Sequence, residues 1–575
     1  MATRPHVFLD SLEELISSCI SFYEKNKDKM TSQRIRENRA KLSGFVEAFH
    51  EDCGTVNPAI EKRIEDLRSD TGLVLMTAHQ PNFFAYSGVF RKATLNFVLA
   101  KKLEELLNVP VVSFFGIADQ DFAEDRWVRS CQLPAVRRSG GILTIDVKLP
   151  EKLMLNRVPK LPSDLLGGWK AEIEKWLDGT VRSVERLCRS LDFPKVCSTF
   201  STSNLCENFR AFWDIVDDCY EDSENYSDFN AFIMSKIVND IWRYDTVLAR
   251  FSECQQAFID EFCFLLSRFE DYSRLLKETK HIPCDEGMGG GVSDKEPLLV
   301  PFWYHCDCGS KSKLFLNEES GSLFGKGNCE GCGESHELEL GAKGNPKISH
   351  IGSRISARAI PMSLVFFNGL LPSCYIGGIG GIRYLKEAEY IAKGLRIPFP
   401  PIAVWRPHDK YLGVAQIEAI LEIKRICNDL GVQDFSTAKD SLELRISEIR
   451  QRLDTLEVSK NRIMEELKKH PEDGKLKEEI KRISMDQTKL VKSSNLSVVT
   501  NDFKILENIS AALDLIPSII DYAVNIGLEE TSEQWIEYLL KYGSLSSDLH
   551  LKSSIDGLAE FDISKWLDPN LRVTK

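Results

Sequence analysis

The sequence has no long apolar run and no excess of positive charge. Its longest apolar stretch, residues 109–118, is too short to span a bilayer, and no secretory leader pattern precedes the first apolar helix. Lys and Arg number 73 against 86 Asp and Glu, and the net charge of −13 argues against nucleic acid as a partner. Because the hydrophobic fraction of 43% is that of a globular protein, we expect a soluble, cytoplasmic protein without membrane contact.

Cysteine, in contrast, occurs 16 times. Twelve cysteines are scattered, and we expect them to be small buried apolar residues of a reduced protein. The other four form two close pairs, each followed by glycine: Cys306, Cys308, Cys329 and Cys332. Such pairs direct four thiolates at one ion, so they predict a structural Zn²⁺ site in a zinc ribbon. The first pair is unusually short, which leaves His305 or His336 as an alternative ligand; two redox or disulfide pairs are the other interpretation.

The regions on either side of residues 150–350 have an α/β pattern. Residues 73–77 form a short apolar run, residues 90–107 have helical apolar spacing, and residues 109–117 form a second apolar run. A strand, a helix and a strand in this order predict a parallel sheet. The pattern returns at residues 359–394, so we predict an α/β fold whose Rossmann-like sheet is interrupted by an insertion.

The C-terminal part is predicted to be helical. From residue 442 apolar residues follow alternating steps of four and three, and after a turn at residues 470–474 the spacing resumes to residue 490. This pattern predicts an antiparallel coiled-coil hairpin; two amphipathic helices packed on the body are the alternative. The hairpin suggests a homodimer, but the same heptads could close within one chain. The predicted units are an N-terminal helical segment (1–70), the first half of the sheet core (71–150), a helical insertion (151–296), the zinc ribbon (297–345), the second half of the core (346–436), the hairpin (437–495) and a C-terminal helical region (496–575).

Polar residues follow the predicted strands. His79 and its neighbours come between the first strand and its helix, where free N–H groups favour an anion, and Asp119 and Asp121 follow the second strand. The glycine-rich residues 375–381 would let the backbone approach a ligand closely. Each segment also has a non-functional interpretation. Pro81 and Asn82 could only shape the first loop while His79 packs, the two aspartates could belong to a solvated loop, and the glycines could form a plain turn.

The same residues carry a resemblance to a known family. The segment Tyr375-Ile-Gly-Gly-Ile-Gly-Gly-Ile-Arg-Tyr384, continued by Gly394-Leu-Arg-Ile-Pro-Phe-Pro-Pro401 and Arg406, resembles the BshC family of cysteine-adding enzymes in bacillithiol synthesis. Upstream, the loop Met76-Thr-Ala-His-Gln80, the pair Lys92-Ala93 and the segment Asp119-Gln-Asp-Phe122 resemble further family segments. The loop starting at His79 is also similar to WbqC-like proteins.

The sequence departs from the family pattern at several polar positions. His79 stands where the family has glutamine, and Gln120 stands where it has histidine. Gly381 replaces a glutamate, and Met362 replaces an arginine. A zinc ribbon is not a usual feature of the family. The resemblance therefore predicts the fold more firmly than the substrate.

The resemblance implies a Rossmann-like core, akin to nucleotidyltransferases and class I synthetases, with a helical insertion and a C-terminal hairpin. It also implies a ligase that joins an amino acid, cysteine, to the amine of a sugar-derived acceptor in low-molecular-weight thiol synthesis. If a nucleotide activates the carboxyl group, ATP or ADP is the candidate. The catalytic candidates are His79, Asp119 and Asp121. The candidates for binding substrate or nucleotide are Gln80, Asn82, Lys92, Tyr375, Gly377, Gly378, Gly380 and Arg406.

Two other functions remain open at this point. The chain could be a non-catalytic binding protein that kept the sheet and uses the ribbon and hairpin for partners, because several family polar positions are replaced. It could also be a synthetase-like enzyme acting on another acceptor. The sequence has only a faint counterpart of the Lys-Met-Ser-Lys-Ser loop of class I synthetases, at residues 292–296.

Overall fold

The computed structural model describes residues 9–69, 72–201, 204–279, 298–406 and 409–555, so residues 292–296 lie outside it. The chain begins with three helices: α1 (Leu12–Met30), α2 (Gln33–Cys53) and α3 (Pro58–Arg68). The start of α1 is capped by the Ser11 hydroxyl, which accepts from the Glu14 backbone N–H, and the Asn57 amide oxygen caps α3 in the same way. These polar caps end the preceding loops and fix where the helices start.

A strand, a helix and a strand follow, as predicted. They are succeeded by a short helix and an antiparallel strand pair. The elements are β1 (Leu73–His79), α4 (Ser87–Leu107), β2 (Val111–Ile117), α5 (Arg126–Arg129), β3 (Ser130–Pro134) and β4 (Ile142–Asp146). Helix α4 ends at Asn108, whose left-handed conformation (φ 54°) turns the chain back towards the sheet.

The next part of the chain is mainly helical and contains one strand. Its elements are α6 (Ser163–Leu191), α7 (Pro194–Ser201), α8 (Leu205–Asp222), α9 (Tyr226–Ser235), β5 (Val247–Arg250), α10 (Phe251–Cys254), α11 (Ile259–Ser267) and α12 (Phe269–Glu278). A π-helical turn, Lys236–Ile241, follows α9. Strand β5 pairs with β2 and belongs to the parallel sheet, a placement that the sequence analysis missed.

The four clustered cysteines belong to a second sheet. Its strands are β6 (Phe302–His305), β7 (Lys311–Glu319), β8 (Ser322–Cys329), β9 (Ser335–Ala342), β10 (Asn345–Pro346) and β11 (Ile355–Ala357). They form a six-stranded antiparallel sheet in the order β10-β9-β8-β7-β6-β11, which we call the cysteine sheet.

The chain then returns to the parallel sheet before a helical C-terminal part. The elements are α13 (Ala359–Gly369), β12 (Cys374–Ile376), α14 (Ile382–Leu395), β13 (Ile402–Ala403), β14 (Asp409–Lys410), α15 (Val414–Leu430), α16 (Phe435–Lys469), α17 (Gly474–Ser493), α18 (Leu496–Leu513), α19 (Ile519–Asn525), α20 (Leu528–Tyr542) and β15 (Leu549–His550). Helices α16 and α17 contact each other, and Gln487 donates to Glu457 across them at 2.8 Å. Coiled-coil packing of this pair stays a prediction.

The parallel sheet has the order β13-β12-β1-β2-β5, and every neighbouring pair is parallel. Helices cover both of its faces. Leu73 and Leu75 pack in one apolar cluster with α4, whereas Val74 and Met76 pack in another cluster with α2, α3 and α13. Burial on both faces explains why β1 and β2 are continuous apolar runs rather than alternating ones. A mixed α/β fold around a parallel sheet is therefore confirmed.

Strand β5 was missed because its formation depends on distant side chains. Four residues are too few for a distinct pattern between helices. The His50 ring accepts from the Leu248 backbone N–H at 3.0 Å, and the Asn239 amide bonds both backbone groups of Thr246. These bonds hold the strand beside β2. Among the described residues, no helix combines the length and apolar character needed to cross a bilayer.

We expect alanine substitution of two glycines to have effects of opposite sign. A Cβ on Gly116, in β2, would lie 1.9 Å from the Phe251 ring, so Gly116→Ala should lower the free energy of unfolding by about 1–3 kcal/mol. Gly44, in α2, has no atom within 4 Å of an added Cβ, so Gly44→Ala should raise it by about 0.5–1 kcal/mol. Urea unfolding of both variants measures this, and equal shifts would contradict the packing of Phe251 on β2.

Candidate functional site

The carboxyl ends of the parallel strands bring the predicted site residues to one edge of the sheet. Because all five strands run the same way, the loops after them open on the same side. The residues placed there are His79 at the end of β1, Asp119 and Asp121 after β2, Ser252 after β5, Gly377 and Gly378 after β12, and Arg406 after β13.

His79 is a neutral hydrogen-bonding group. Its Nδ1 lies 3.1 Å from the backbone oxygen of Gln80, which can only accept, so Nδ1 carries the proton. Nε2 is then an acceptor and receives the Tyr86 hydroxyl at 3.4 Å. Burial, and to a smaller extent the charge of Lys92, lowers the pKa of His79 to about 3. At neutral pH His79 can therefore orient a ligand by hydrogen bonding but cannot supply a positive charge to a phosphate.

Asp119 is buried and fully engaged. The Ser252 backbone N–H donates to its Oδ1 at 2.8 Å, and the Ser252 hydroxyl donates to its Oδ2. Burial raises the pKa of Asp119 to about 7, although the bonds from Ser252 oppose the rise. These bonds tie the loop after β2 to the start of α10. The geometry suits a residue that positions the loop; the catalytic role that the sequence analysis assigns to Asp119 stays a prediction.

Of the two predicted aspartates, Asp121 is the one that solvent reaches. Its side chain is 40% exposed, and its Oδ2 accepts from the Gln80 amide at 3.1 Å. Its Oδ1 lies 3.8 Å from Nζ of Lys311, which is the first residue of β7 in the cysteine sheet. Sequence reasoning missed Lys311, since no local pattern separates it from the other lysines of that region.

Lys92 is a buried amine beside the glycine segment. Its Nζ donates to the backbone oxygen of Ala78 at 3.1 Å and lies 3.4 Å from the position of a Cβ on Gly378. Within the described ranges no carboxylate forms an ion pair with it. Burial accordingly lowers the pKa of Lys92 to about 7. An amine of this kind is suited to bind an anionic ligand or to exchange a proton near neutral pH.

The glycine segment is accompanied by two tyrosines. Tyr375 is buried in β12, and its hydroxyl bonds that of Tyr384, which lies close enough to Asp121 for the negative charge to raise the pKa of Tyr384. Burial is the larger cause of that rise. A Cβ on Gly381 would lie 2.7 Å from the Tyr384 hydroxyl oxygen, so the glutamate that the family pattern has at this position would require Tyr384 to move.

The remaining predicted site residues differ in how close they lie to His79 and Lys92. Asn82 is buried close to His79, whose pKa it raises. Gly377 donates its N–H to Ala403, and a Cβ on Gly380 would meet open space. Arg406 lies at the edge strand, 3.9 Å from Asp10, and its backbone N–H donates to Leu545. The structure thus places Asn82 and Gly377 near His79 and Lys92. It places Arg406 beside residues from the two ends of the chain, Asp10 and Leu545.

The four clustered cysteines could bind a metal ion such as zinc. Their sulfur atoms all lie within 4.8 Å of one another, with 3.7 Å between Cys306 and Cys332 and 3.5 Å between Cys308 and Cys329. Four sulfurs about 2.3 Å from one Zn²⁺ in a tetrahedron are about 3.8 Å apart, so the donor set fits this ion. The ion would close two turns, residues 306–310 and 329–333, which we call the cysteine turns.

The two histidines considered as alternative ligands differ in position. The His305 ring bonds the Ser356 hydroxyl at 2.8 Å, and burial lowers its pKa to about 3. His336 lies within 4.8 Å of Cys306 and Glu334, which form a second group of potential ligands. Because all four cysteine sulfurs already converge, the cysteine set requires neither histidine.

We expect about one zinc ion per chain, bound by the cysteine turns. Cys329→Ser and Cys332→Ser should each abolish binding and lower the midpoint of thermal unfolding, since a metal that binds only the folded state stabilises it. Elemental analysis of purified protein measures the content. Cys206→Ser, at an exposed cysteine outside the cluster, is the control. A content below about three ions per four chains would contradict the assignment.

We expect Lys92→Met to stabilise the protein. The pKa of Lys92 is lowered from 10.5 to about 7, so between these pH values the unfolded chain binds the proton more tightly and stability rises with pH. The variant should therefore gain about 1–3 kcal/mol of unfolding free energy at pH 7, and the gain should shrink towards pH 10. Urea unfolding at both pH values measures it. Lys102→Met, in the same helix but part-exposed, should show no such pH dependence.

Comparisons with known proteins were consistent with one of the two resemblances. No protein-family model matches the chain. The chain is 23% identical over 422 residues to a protein of Geobacillus thermodenitrificans (strain NG80-2) whose name describes a cysteine ligase, BshC; the match covers 72% of this chain and 67% of that protein. The similarity to WbqC-like proteins stays a prediction. The chain is thus distantly related to BshC.

Proposed function

We propose that the protein is a carbon–nitrogen ligase of the BshC type, which joins cysteine to the amine of a sugar-derived acceptor. The observation that carries the proposal is the location of Lys92, His79 and Asp121 at the carboxyl edge of the parallel sheet, in a chain distantly related to a protein named for cysteine ligation. Fold and similarity support the reaction class; the choice of cysteine comes from the name of the relative.

The reaction needs an activated carboxyl group, an unprotonated amine and stabilisation of the developing oxyanion. The amine nitrogen attacks the carboxyl carbon, the C–N bond forms as the bond to the leaving group breaks, and the nitrogen loses one proton. Asp121 would orient the acceptor amine and accept that proton, because its carboxylate is exposed and held by Gln80. Lys92 would pair with a carboxylate or phosphate of the substrates, which raises its pKa and favours the ammonium form.

The other candidates would define the shape of the site. His79, as a neutral donor and acceptor, would orient the substrate together with Asn82, and the open backbone at Gly378 and Gly380 would lie against the nucleotide or substrate. ATP is proposed as the activating nucleotide, bound at the start of α4, where no side chain caps the N-terminus. Arg406 would pair with a distal carboxylate or phosphate, since it lies at the edge strand.

The proposal extends to the architecture and setting of the enzyme. The parallel sheet is proposed to be a Rossmann-like core and the cysteine sheet a zinc ribbon. Helices α16 and α17 are proposed to form a coiled-coil hairpin that makes a homodimer, and the protein is proposed to act in the cytoplasm. The paired helices, the four converging sulfurs and the expected reduced state of the cysteines support these points.

The ligase is tested with isotope-labelled cysteine, MgATP and a panel of 2-amino sugars and their glycosides. We expect a product whose mass is that of cysteine plus amine minus water, detected by mass spectrometry. Asp121→Asn should lower kcat at least about 100-fold, because general-base catalysis is lost. Glu174→Gln, on the exposed face of α6, is the matched control for the loss of one carboxylate.

Thermal unfolding with the same ligands separates the proposal from a non-catalytic binding protein. A ligand at about 100 times its Kd stabilises the folded state by about 2.7 kcal/mol. Stabilisation without any condensation product would favour the binding protein, and the absence of both would contradict a site at this sheet edge. Turnover without ATP would contradict only its proposed role in activation.

A further inference from the structure

Lys311 brings the cysteine sheet into the proposed site. Its side chain is 4% exposed, and its Nζ lies 3.8 Å from Asp121. The ammonium group lies 4.3 Å from the ring centre of Phe122, the residue next to Asp121, and 5.2 Å from that of Trp303 in β6. A long, flexible side chain is thereby enclosed by aromatic rings and directed at one carboxylate.

The cysteine turns determine where Lys311 lies. Cys306 donates its backbone N–H to the oxygen of Ser310 at 2.9 Å, which closes the first turn immediately before Lys311. From the second turn, Glu330 donates its backbone N–H to the oxygen of Lys311 at 3.0 Å. The Lys311 backbone is therefore held between the two segments that carry the four thiolates, and a metal ion bound to them would fix both.

A second contact joins the first cysteine turn to the loop after β2, residues 118–123, which we call the Asp121 loop. Met154 donates its backbone N–H to the oxygen of Gly309 at 3.0 Å, and the next residue, Leu155, donates to the oxygen of Asp121 at 3.0 Å. Gly309 has φ +86°, and a Cβ there would lie 2.7 Å from Leu153, so only glycine permits this close approach. The turn thus reaches the loop through both a side chain and a bridging segment.

We propose that Lys311 is a positioning residue of the site and that a metal ion at the four cysteines holds the Asp121 loop in the conformation that places Asp121 at the sheet edge. With the metal bound, Lys311 and Gly309 hold the loop from two sides. Without it, the cysteine turns lose their common centre and these contacts loosen. The part of this inference that concerns turnover rests on the proposed ligase function; the coupling between metal and loop does not.

Hydrogen exchange of the intact protein, before and after metal removal by a chelator, tests the coupling without any activity. We expect exchange to become at least about fivefold faster in peptides covering residues 118–123 and 153–158, because local contacts limit their opening. A peptide from residues 60–67 of α3 is the control. Faster exchange in residues 306–310 together with unchanged exchange in the two loop peptides would overturn the proposal.

Substitution of Lys311 tests the positioning role with the metal in place. Lys311→Met should retain zinc but speed exchange in residues 118–123, and it should lower kcat about 10–100-fold with little change in KM. Lys311→Arg should restore part of both effects. Lys326→Met, at a part-exposed lysine of the same sheet, is the control. A Lys311→Met protein with unchanged exchange and turnover would contradict the role, whereas a wild-type protein without ligase turnover would contradict only the proposed function.

Discussion

Parallel pairing of the strands is the constraint on which the site depends. Strand β1 pairs with β2 on one side and with β12, about three hundred residues later, on the other. Only a parallel register makes all of these strands end at one edge, so residues as far apart as His79 and Gly378 become neighbours. The register is held by burial as much as by backbone hydrogen bonds, because both faces of β1 and β2 are covered by helices and a slip would leave gaps in two apolar clusters at once.

Burial then sets the charge of the groups at this edge. The same physical cause lowers the pKa of His79 and Lys92 and raises that of Asp119, in each case towards the neutral form. Burying these groups with few opposite charges nearby lowers the stability of the fold. The same burial lowers the local dielectric constant, which strengthens electrostatic contacts with a bound ligand. Asp121 differs because solvent reaches it. The site therefore combines buried groups whose pKa values are shifted towards the neutral form with the solvent-accessible carboxylate of Asp121.

The parts of the structure that could be predicted from sequence are those that local pattern determines. The run from β1 through α4 to β2 follows from apolar spacing and length, and the convergence of four cysteines follows from their spacing and adjacent glycines. Strand β5 and Lys311 could not be predicted in this way. The strand depends on bonds from His50 and Asn239, and the position of the lysine depends on how the cysteine sheet packs against the Asp121 loop.

The two aspartates after β2 show the same limit within a single loop. Their spacing predicts that both lie at the sheet edge, which they do, but spacing carries no information about Ser252. Because Ser252 follows β5, the strand that pattern analysis missed, the distinction between an engaged Asp119 and an accessible Asp121 could not be predicted either.

The cysteine sheet is attached to the rest of the chain at two separate places. This explains how a metal ion at the four cysteines could influence the Asp121 loop without affecting the whole fold. The first place is the base of the cysteine sheet, where the chain enters β6 and leaves β11. There Arg358 donates its backbone N–H to the oxygen of Pro301, and Ala357 donates its backbone N–H to the buried Gln255 amide oxygen. These bonds join the entry and exit of the sheet to each other and to the segment after β5, and they involve no cysteine. The cysteine turns lie at a separate contact, where Gly309 meets Met154. Since the base is held independently of the thiolates, loss of the ion would release the contact at the Asp121 loop while the attachment of the sheet persists.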